Sequence, residues 1–251
     1  MISDDKPQYF GQRQTEAMSF ARKYHEWIVK EFKPYIGDTV AEVGAGTGYF
    51  SDLLLGQGVK RLVAFEPSEN MYPALVERLH GIQNAHAVND YFGVAQNGQK
   101  FDSVAYVNVL EHIEDDAGEL SRAYNAIAPG GHILLFSPAL QWLHGDLDRR
   151  VGHFRRYYKH DLVDKVRAAG FDVVKAKYFD LVGVIPWYVA FVLLRGSITT
   201  GNASFYDNFA VPIVRFVENI VSPPFGKNVL VVGRKGLDVA SSSRPARETF
   251  A

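Results

Sequence analysis

Between Thr39 and Leu55 the chain runs Thr-Val-Ala-Glu-Val-Gly-Ala-Gly-Thr-Gly-Tyr-Phe-Ser-Asp-Leu-Leu-Leu, a short apolar strand that passes through three glycines into an apolar helix. Gly44, Gly46 and Gly48 lack a Cβ, so the turn can take backbone angles closed to other residues and can approach a bound molecule closely. The helix behind it points its free N–H groups at the same spot, which suits a nucleotide-like ligand. A dinucleotide-binding turn needs Gly-x-Gly-x-x-Gly. Here the spacing is Gly-x-Gly-x-Gly, and Tyr49 stands where the last glycine belongs, which counts against a nicotinamide cofactor. Because such turns also serve plain strand-to-helix packing, the next acid carries the weight.

Arg61 to Phe65 reads as a second buried strand, and Glu66 stands at its carboxyl end, where a carboxylate can accept both hydroxyls of a ribose. Further strands are predicted near 84 to 88, 101 to 107, 131 to 136, 172 to 179 and 227 to 234, with Pro129-Gly130-Gly131 as the turn feeding the fifth. Helices are predicted near 49 to 57, 69 to 80, 115 to 127 and 159 to 169. This alternation predicts an α/β domain with a parallel sheet covered on both faces. Gln12 to Phe32 has apolar groups at helical spacing and reads as a cover over the ligand mouth, with Tyr9, Tyr24 and Trp27 either touching ligand or packing on the sheet.

Four blocks in this order, Val40-Ala-Glu-Val-Gly-Ala-Gly-Thr-Gly48, Ala64-Phe-Glu-Pro67, Phe101-Asp-Ser-Val-Ala-Tyr-Val-Asn-Val-Leu-Glu-His-Ile113 and Ala128-Pro-Gly-Gly-His-Ile-Leu-Leu-Phe136, resemble the class I S-adenosylmethionine-dependent methyltransferases over about residues 38 to 180. The resemblance implies a Rossmann-like, seven-stranded, mostly parallel sheet with helices on both faces, the seventh strand running antiparallel between the fifth and sixth. It also implies S-adenosyl-L-methionine as cofactor. Glu42 with Gly44, Ala45, Gly46 and Gly48 would hold the methionine portion, Glu66 and Pro67 the ribose, and Asp90 the adenine amino group, while Asn108 and Val109 line the opposite wall. A sulfonium, an ammonium and a carboxylate on one molecule call for acids on one side and backbone donors on the other. Asn89-Asp90 also reads as an Asx-turn.

A sulfonium is an already activated methyl donor, so the protein must place a nucleophile about 3 Å from the methyl group, in line with the departing sulfur. For a hydroxyl acceptor, a histidine near its ordinary pKa of about 6.5 could take the proton. His112, on the loop after the fourth strand, is the first candidate, with helix capping or packing as its structural alternative. His144 and His153 bracket the polar stretch from 144 to 158, which follows the fifth strand. Gly152, His153, Arg155, Arg156 and Tyr157 resemble a Gly-His-x-Arg-Arg-Tyr element found in a subset of these enzymes, and Tyr157 joins the histidines as a catalytic candidate. Arg155 and Arg156 either clamp an anionic acceptor by paired hydrogen bonds or pair with Asp146 and Asp148 to pin the loop. A metal site built from Asp146, Asp148 and a histidine is a further alternative, but no ligand spacing specifies one and none is expected.

The interval 181 to 226 separates two strands that a short hairpin would join, and reads as a hydrophobic cap. Leu181 to Leu194 is apolar but broken by Gly183 and Pro186, and its 14 or so residues are too few to span a bilayer. A second apolar helix is predicted from Phe205 to Val221, kinked or broken at Pro212. The cap can close over a hydrophobic acceptor, bury a homodimer interface or meet a membrane surface; the scarcity of cations beyond Arg195 and Arg215 argues against the last. Trp142, Trp187, Tyr188 and Phe209, with the two arginines, are the acceptor-binding candidates.

With 251 residues, 47% of them hydrophobic, and a formal charge of −1, the chain fits one domain over 1–236. That domain comprises a helical cover (10–34), a core (38–180 and 227–235) and the cap, followed by a polar tail (237–251) expected to be disordered. The charge lacks the basic excess of a nucleic-acid binder, so no nucleic-acid partner is expected. Absence of cysteine excludes disulfides, thiolate metal sites and a cysteine nucleophile. Met-Ile-Ser-Asp-Asp-Lys-Pro has no apolar signal core, which favours the cytoplasm. The expected activity is methylation of a small or medium organic acceptor, hydrophobic or anionic, most readily at oxygen. A non-catalytic cofactor-binding or scaffolding subunit, transfer to nitrogen or carbon of a lipid-linked or quinone-like acceptor, and a nicotinamide oxidoreductase are the alternatives.

Overall fold

In the computed structural model, residues 21–93, 98–194 and 200–237 are described. The start of the predicted cover (Tyr9 and 12–20), Arg195 and the tail from 238 lie outside them. Strands β1 (Thr39–Val43), β2 (Arg61–Phe65), β3 (Ala85–Val88), β4 (Phe101–Val107), β5 (Ile127–Pro138), β6 (Asp172–Phe179) and β7 (Asn228–Arg234) form a seven-stranded sheet. Its order is β3-β2-β1-β4-β5-β7-β6, and β7 is antiparallel to both neighbours. Parallel registers Val43↔Phe65 and Val43↔Tyr106 bring the carboxyl ends of β1, β2 and β4 to one edge. Pro129-Gly130-Gly131, expected as the turn before β5, lies inside it as a bulge: pairing jumps from Phe101↔Ile127 to Ser103↔His132.

Alternation along each strand builds two cores. Ala41, Val43, Val104 and Tyr106 face one way, with helices α4 (Asp116–Ala126) and α6 (Lys159–Ala168) packed over them through Leu120, Ala123, Leu162 and Val166. Val40, Leu62, Ala64 and Leu134 face the other, under α1 (Arg22–Phe32), α2 (Tyr49–Leu55) and α3 (Tyr72–Leu79), which contribute Trp27, Ile28, Phe32, Leu54 and Leu75. Tyr24 and Trp27 are buried among these aromatics; Trp27 stacks on Phe179 at 3.7 Å between ring centroids. The polar stretch after β5 is more ordered than its composition suggests, because it folds as a short helix, α5 (Asp146–Val151), ended by Gly152 in the left-handed region at φ 83°.

The cap consists of α7 (Val184–Trp187), which widens to a π-helix over Tyr188–Leu193, and of α8 (Thr200–Phe205), a π-turn over Tyr206–Ala210, and α9 (Val211–Ile220). Pro212 breaks nothing: the wider turn before it removes the hydrogen bond that its ring would obstruct, and Pro212 sits in the first turn of α9, where no donor is needed. Asp207 reaches from this turn to α1, accepting the N–H groups of Lys23 (3.0 Å) and Tyr24 (2.8 Å) and so capping a helix that has no side-chain cap of its own. Glu218 accepts from the backbone of Asp180 and Leu181, and the Tyr206 hydroxyl donates to Asp180. At the neck of the insertion the Lys227 N–H donates to the Asp180 carbonyl (3.1 Å), and the two side chains form an ion pair at 2.8 Å. Val211, Val214 and Glu218 face inward, whereas Ile213, Phe216, Val217 and Ile220 form an exposed apolar face. No helix among the described residues is long and apolar enough to cross a membrane.

Candidate active site

A cavity of about 930 Å³ opens at the carboxyl edge of β1, β2 and β4. Its floor is the glycine turn. Gly44, Gly46 and Gly48 all have positive φ (67°, 58° and 78°), and a Cβ on Gly44 would stand 2.6 Å from Cγ2 of Val109 across the cleft. Only glycine permits both the angle and the approach. Glu42, at the end of β1, is buried and accepts the Ser51 hydroxyl; loss of water pushes its carboxyl up to about 8. Glu66, just past β2, accepts the Gly46 N–H at 2.7 Å and the Ser68 N–H at 2.9 Å, one on each oxygen. Each oxygen keeps a second lone pair.

Pro67, Asp90, Asn108, Val109 and Ala45 line the same cavity; Gly48 stands behind it as the residue that starts α2. Asp90 accepts the N–H of Tyr91 (2.8 Å), a local turn contact compatible with its place on the wall. Asn108 has φ 55°, and two other non-glycine residues, Leu140 and Asp180, are also left-handed at 64° and 65°. All three follow the carboxyl ends of strands, β4, β5 and β6, where the chain must turn sharply at the cavity edge.

Opposite the turn, His112, His153, Arg156 and Trp187 reach the cavity. Asp148 organises this wall. Its carboxylate accepts from His153 Nδ1 (2.7 Å), from Arg156 Nε and Nη2 (2.9 and 3.0 Å) and from the Gly145 N–H (2.9 Å), which hold its carboxyl well below the usual range despite burial. Arg156 also lies against the Trp187 ring, 4.9 Å from its centroid. Burial and the adjacent His153 lower His112 to about 3, so its imidazole is neutral at physiological pH and is a weak base. Of the histidine candidates, His153 has the better setting for proton transfer, with a carboxylate behind it.

Several predicted contacts are corrected. Arg155 and Arg156 form no common clamp: of the loop-pinning alternative the Arg156–Asp148 pair is present, but adjacent side chains of an extended segment diverge, so Arg155 pairs with Asp116 at 2.8 Å on another face, and Asp146 pairs with Arg149. Tyr157 is buried away from the cavity, its hydroxyl donating to Asp116 at 2.9 Å, and its pKa is raised by burial. His144 hydrogen-bonds the His153 carbonyl (3.2 Å) rather than lining the wall. Trp142, half exposed, packs on Tyr188 outside the cavity. Phe209 is 64% exposed, because the π-turn directs Asp207 inward and Phe209 to the outer surface of the cap.

Glu111 escapes the sequence reading although it adjoins His112. It is fully buried, lines the cavity and stands with its Oε1 3.9 Å from His153 Nε2. Burial raises its pKa. Tyr24, His25, Lys227 and Asn228 are further wall residues, brought in by α1 and by the neck of the cap.

A sequence profile described as "Methyltransferase domain" matches residues 9–176. A tRNA U34 carboxymethyltransferase of Haemophilus influenzae (strain PittGG) is 26% identical over 135 residues, 53% of this chain and 41% of that protein. A ubiquinone biosynthesis O-methyltransferase of Xylella fastidiosa (strain 9a5c) is 29% identical over 111 residues, 41% of this chain and 42% of that protein. The chain thus spans about two-fifths of the length of these curated relatives. Among solved structures, a chain of the complex between the Haloferax volcanii Trm112 methyltransferase activator and a methyltransferase superposes with a TM-score of 0.63 at 13% identity, covering 92% of this chain and all of that one. An S-adenosylmethionine-dependent methyltransferase from Mesorhizobium loti gives 0.56 at 15% identity, covering 82% of this chain and 95% of that one. At such identities the likeness is one of fold.

Proposed function

The chain belongs to the methyltransferase-domain family, and from that premise we propose that it transfers a methyl group from S-adenosyl-L-methionine to an oxygen of a small or medium organic acceptor. The observation that carries this reading is one cavity holding two unlike walls: a glycine turn with the acids Glu42 and Glu66, and facing it the cluster of Glu111, His112 and His153. The cradle fits the cofactor. Gly44, Ala45 and Gly46 with Glu42 would hold the methionine portion, and the spare lone pairs of Glu66 would take the ribose hydroxyls, with Asp90 at the adenine. When bound, the cofactor supplies an activated methyl on a positively charged sulfur. The protein's own part is to bind, to orient the acceptor oxygen in line, and to exclude water.

Trp187 and Lys227 close the far side of the cavity, and an acceptor seated against them faces the Glu111–His112–His153 cluster. That cluster's task is to take the proton of the acceptor hydroxyl: the O–H bond breaks as His153 Nε2 accepts the proton, the oxygen takes the methyl group, and the electron pair of the S–CH3 bond stays on sulfur. Asp148 supports it by fixing His153 through Nδ1, which leaves Nε2 toward the cavity. His153→Ala is expected to lower kcat about 100-fold with cofactor affinity nearly intact.

Incubation with methyl-labelled cofactor and a panel of sugar, polyketide-like, quinone-like and lipid-linked acceptors, followed by mass analysis, tests the proposal. A methylated oxygen in the product supports it. Binding of S-adenosylhomocysteine without any product across the panel favours a second reading, a non-catalytic cofactor-binding subunit, for which the exposed apolar face of α9 is the observation.

A further inference from the structure

We propose that Glu111, His112 and His153 form a binding site for a first-row divalent cation such as Zn²⁺ or Mn²⁺, with open coordination positions facing the cavity. Glu111 is 0% exposed, yet neither of its oxygens, nor the adjacent Ser137 hydroxyl, makes a hydrogen bond of ordinary geometry among the described residues. His153, the backbone of Glu111 and the Ser137 hydroxyl all favour its charged form, but burial outweighs them, and a carboxylate so poorly compensated is costly where it faces a cavity. The carboxylate and the two imidazoles each offer one ligand atom, and the three atoms lie within 4.8 Å of one another. Glu111 Oε1 to His153 Nε2 is 3.9 Å, and the two imidazole rings stand edge to face at 4.5 Å. A cation about 2.0–2.2 Å from each ligand draws such atoms to roughly 3–3.5 Å apart, a closure within reach of small side-chain rotations.

The surroundings have the form of an outer shell. His153 gives its Nδ1 to Asp148 at 2.7 Å, which turns Nε2 toward Glu111, and Asp148 is itself locked by two bonds from Arg156. His112 is held by a backbone bond to Gly152. Such second partners fix the imidazole that binds a metal and raise its basicity. Asp148 and Arg156 neutralise each other, so the carboxylate of Glu111 is the charge left to attract a cation. Two imidazoles and one carboxylate suit Zn²⁺, Mn²⁺ or Fe²⁺ rather than Ca²⁺, and three protein ligands leave places for oxygen atoms of an acceptor. This site rests on the methyl-transfer reading only in its use: there the cation would take over His153 Nε2, lower the pKa of the acceptor hydroxyl and let its proton pass to solvent in place of His153, and an acceptor with two neighbouring oxygens would be favoured.

Metal-stripped full-length protein titrated with Co²⁺ should develop a saturable visible spectrum at one equivalent, discharged by Zn²⁺. Glu111→Gln and His153→Gln should each weaken Co²⁺ binding at least tenfold, with S-adenosylhomocysteine affinity by calorimetry kept within about threefold. Wild-type crystals soaked in Zn²⁺ should show an anomalous peak between the three side chains, a readout that needs no variant to fold. No saturable spectrum, equal affinity in both variants, or anomalous peaks only elsewhere would overturn the site. In that event, retained cofactor binding and product formation leave methyl transfer standing; conversely, absence of cofactor binding removes the transferase reading while the Co²⁺ and Zn²⁺ results still judge the cation site.

Discussion

Glu42 and Glu66 stand at the carboxyl ends of adjacent strands. Burial holds Glu42 at about 8 against an ordinary 4.5, so between those values the folded chain keeps a proton that the unfolded chain has lost. The stability linked to this group is therefore full below about pH 4.5 and declines as pH rises toward 8. If the cofactor's ammonium lies against Glu42, binding must expel that proton below pH 8. S-adenosylhomocysteine affinity should then climb roughly 50-fold from pH 6 to 8, and calorimetry in buffers of different ionisation enthalpy should register close to one proton released at pH 7. Zero proton release would remove Glu42 from the ammonium. The oxygens of Glu66 already accept backbone N–H groups, and Glu66→Ala is expected to weaken cofactor binding by about 1.5–3 kcal/mol, a loss of charge-assisted hydrogen bonds that calorimetry reads directly. Both acids were legible in the sequence because each ends an apolar strand beside a glycine turn or a predicted edge. Glu111 was not, since its meaning comes from His153, 42 positions away and brought near only by α5.

At the scale of elements, strand positions follow the sequence closely because period-two burial and glycine punctuation are local signals. Short helices and caps depend on partners far along the chain. Asp207 in the cap and Tyr24 in α1 are 183 residues apart, and no local pattern announces that one caps the other. Asp207→Ala should cost about 1–2 kcal/mol in denaturant unfolding and loosen the end of α1 that carries Tyr24 and His25 into the cavity. A larger loss of kcat than of stability would mean that this end of α1 touches the acceptor. α9 offers a paired comparison. Val214, 2% exposed, should cost about 2 kcal/mol when changed to Ala, whereas Phe216→Ala, at 68% exposure, should stay within about 0.5 kcal/mol. Equal costs would show that something covers the outer face. Periodicity alone could not distinguish the two, because α9 is apolar on both sides and its inward register is set by the π-turn before it.

For the whole molecule, ligand and stability are coupled through one edge of the sheet. A saturating ligand at about 100 times its Kd adds about 2.7 kcal/mol to the folded state. Hydrogen exchange by local opening should slow in 42–48 and 66–68, which hold the cradle, and stay unchanged at the outer turns of α9; local slowing at α9 as well would place the ligand between cap and core instead. The fold class itself was readable from alternating elements, whereas the form of the cap was not, since two of its helical stretches widen to π geometry around Pro186 and Pro212. At its neck, residues 181–226 leave and rejoin the sheet between Asp180 and Lys227, which grip each other through backbone and side chain. Such a purse-string makes the insertion a heritable cassette. Two crossovers, at codons 47 positions apart whose residues stand side by side, would exchange everything between them and leave the order of the seven strands as it is, so the part of this chain most open to replacement over generations lies far from the glycine turn in sequence.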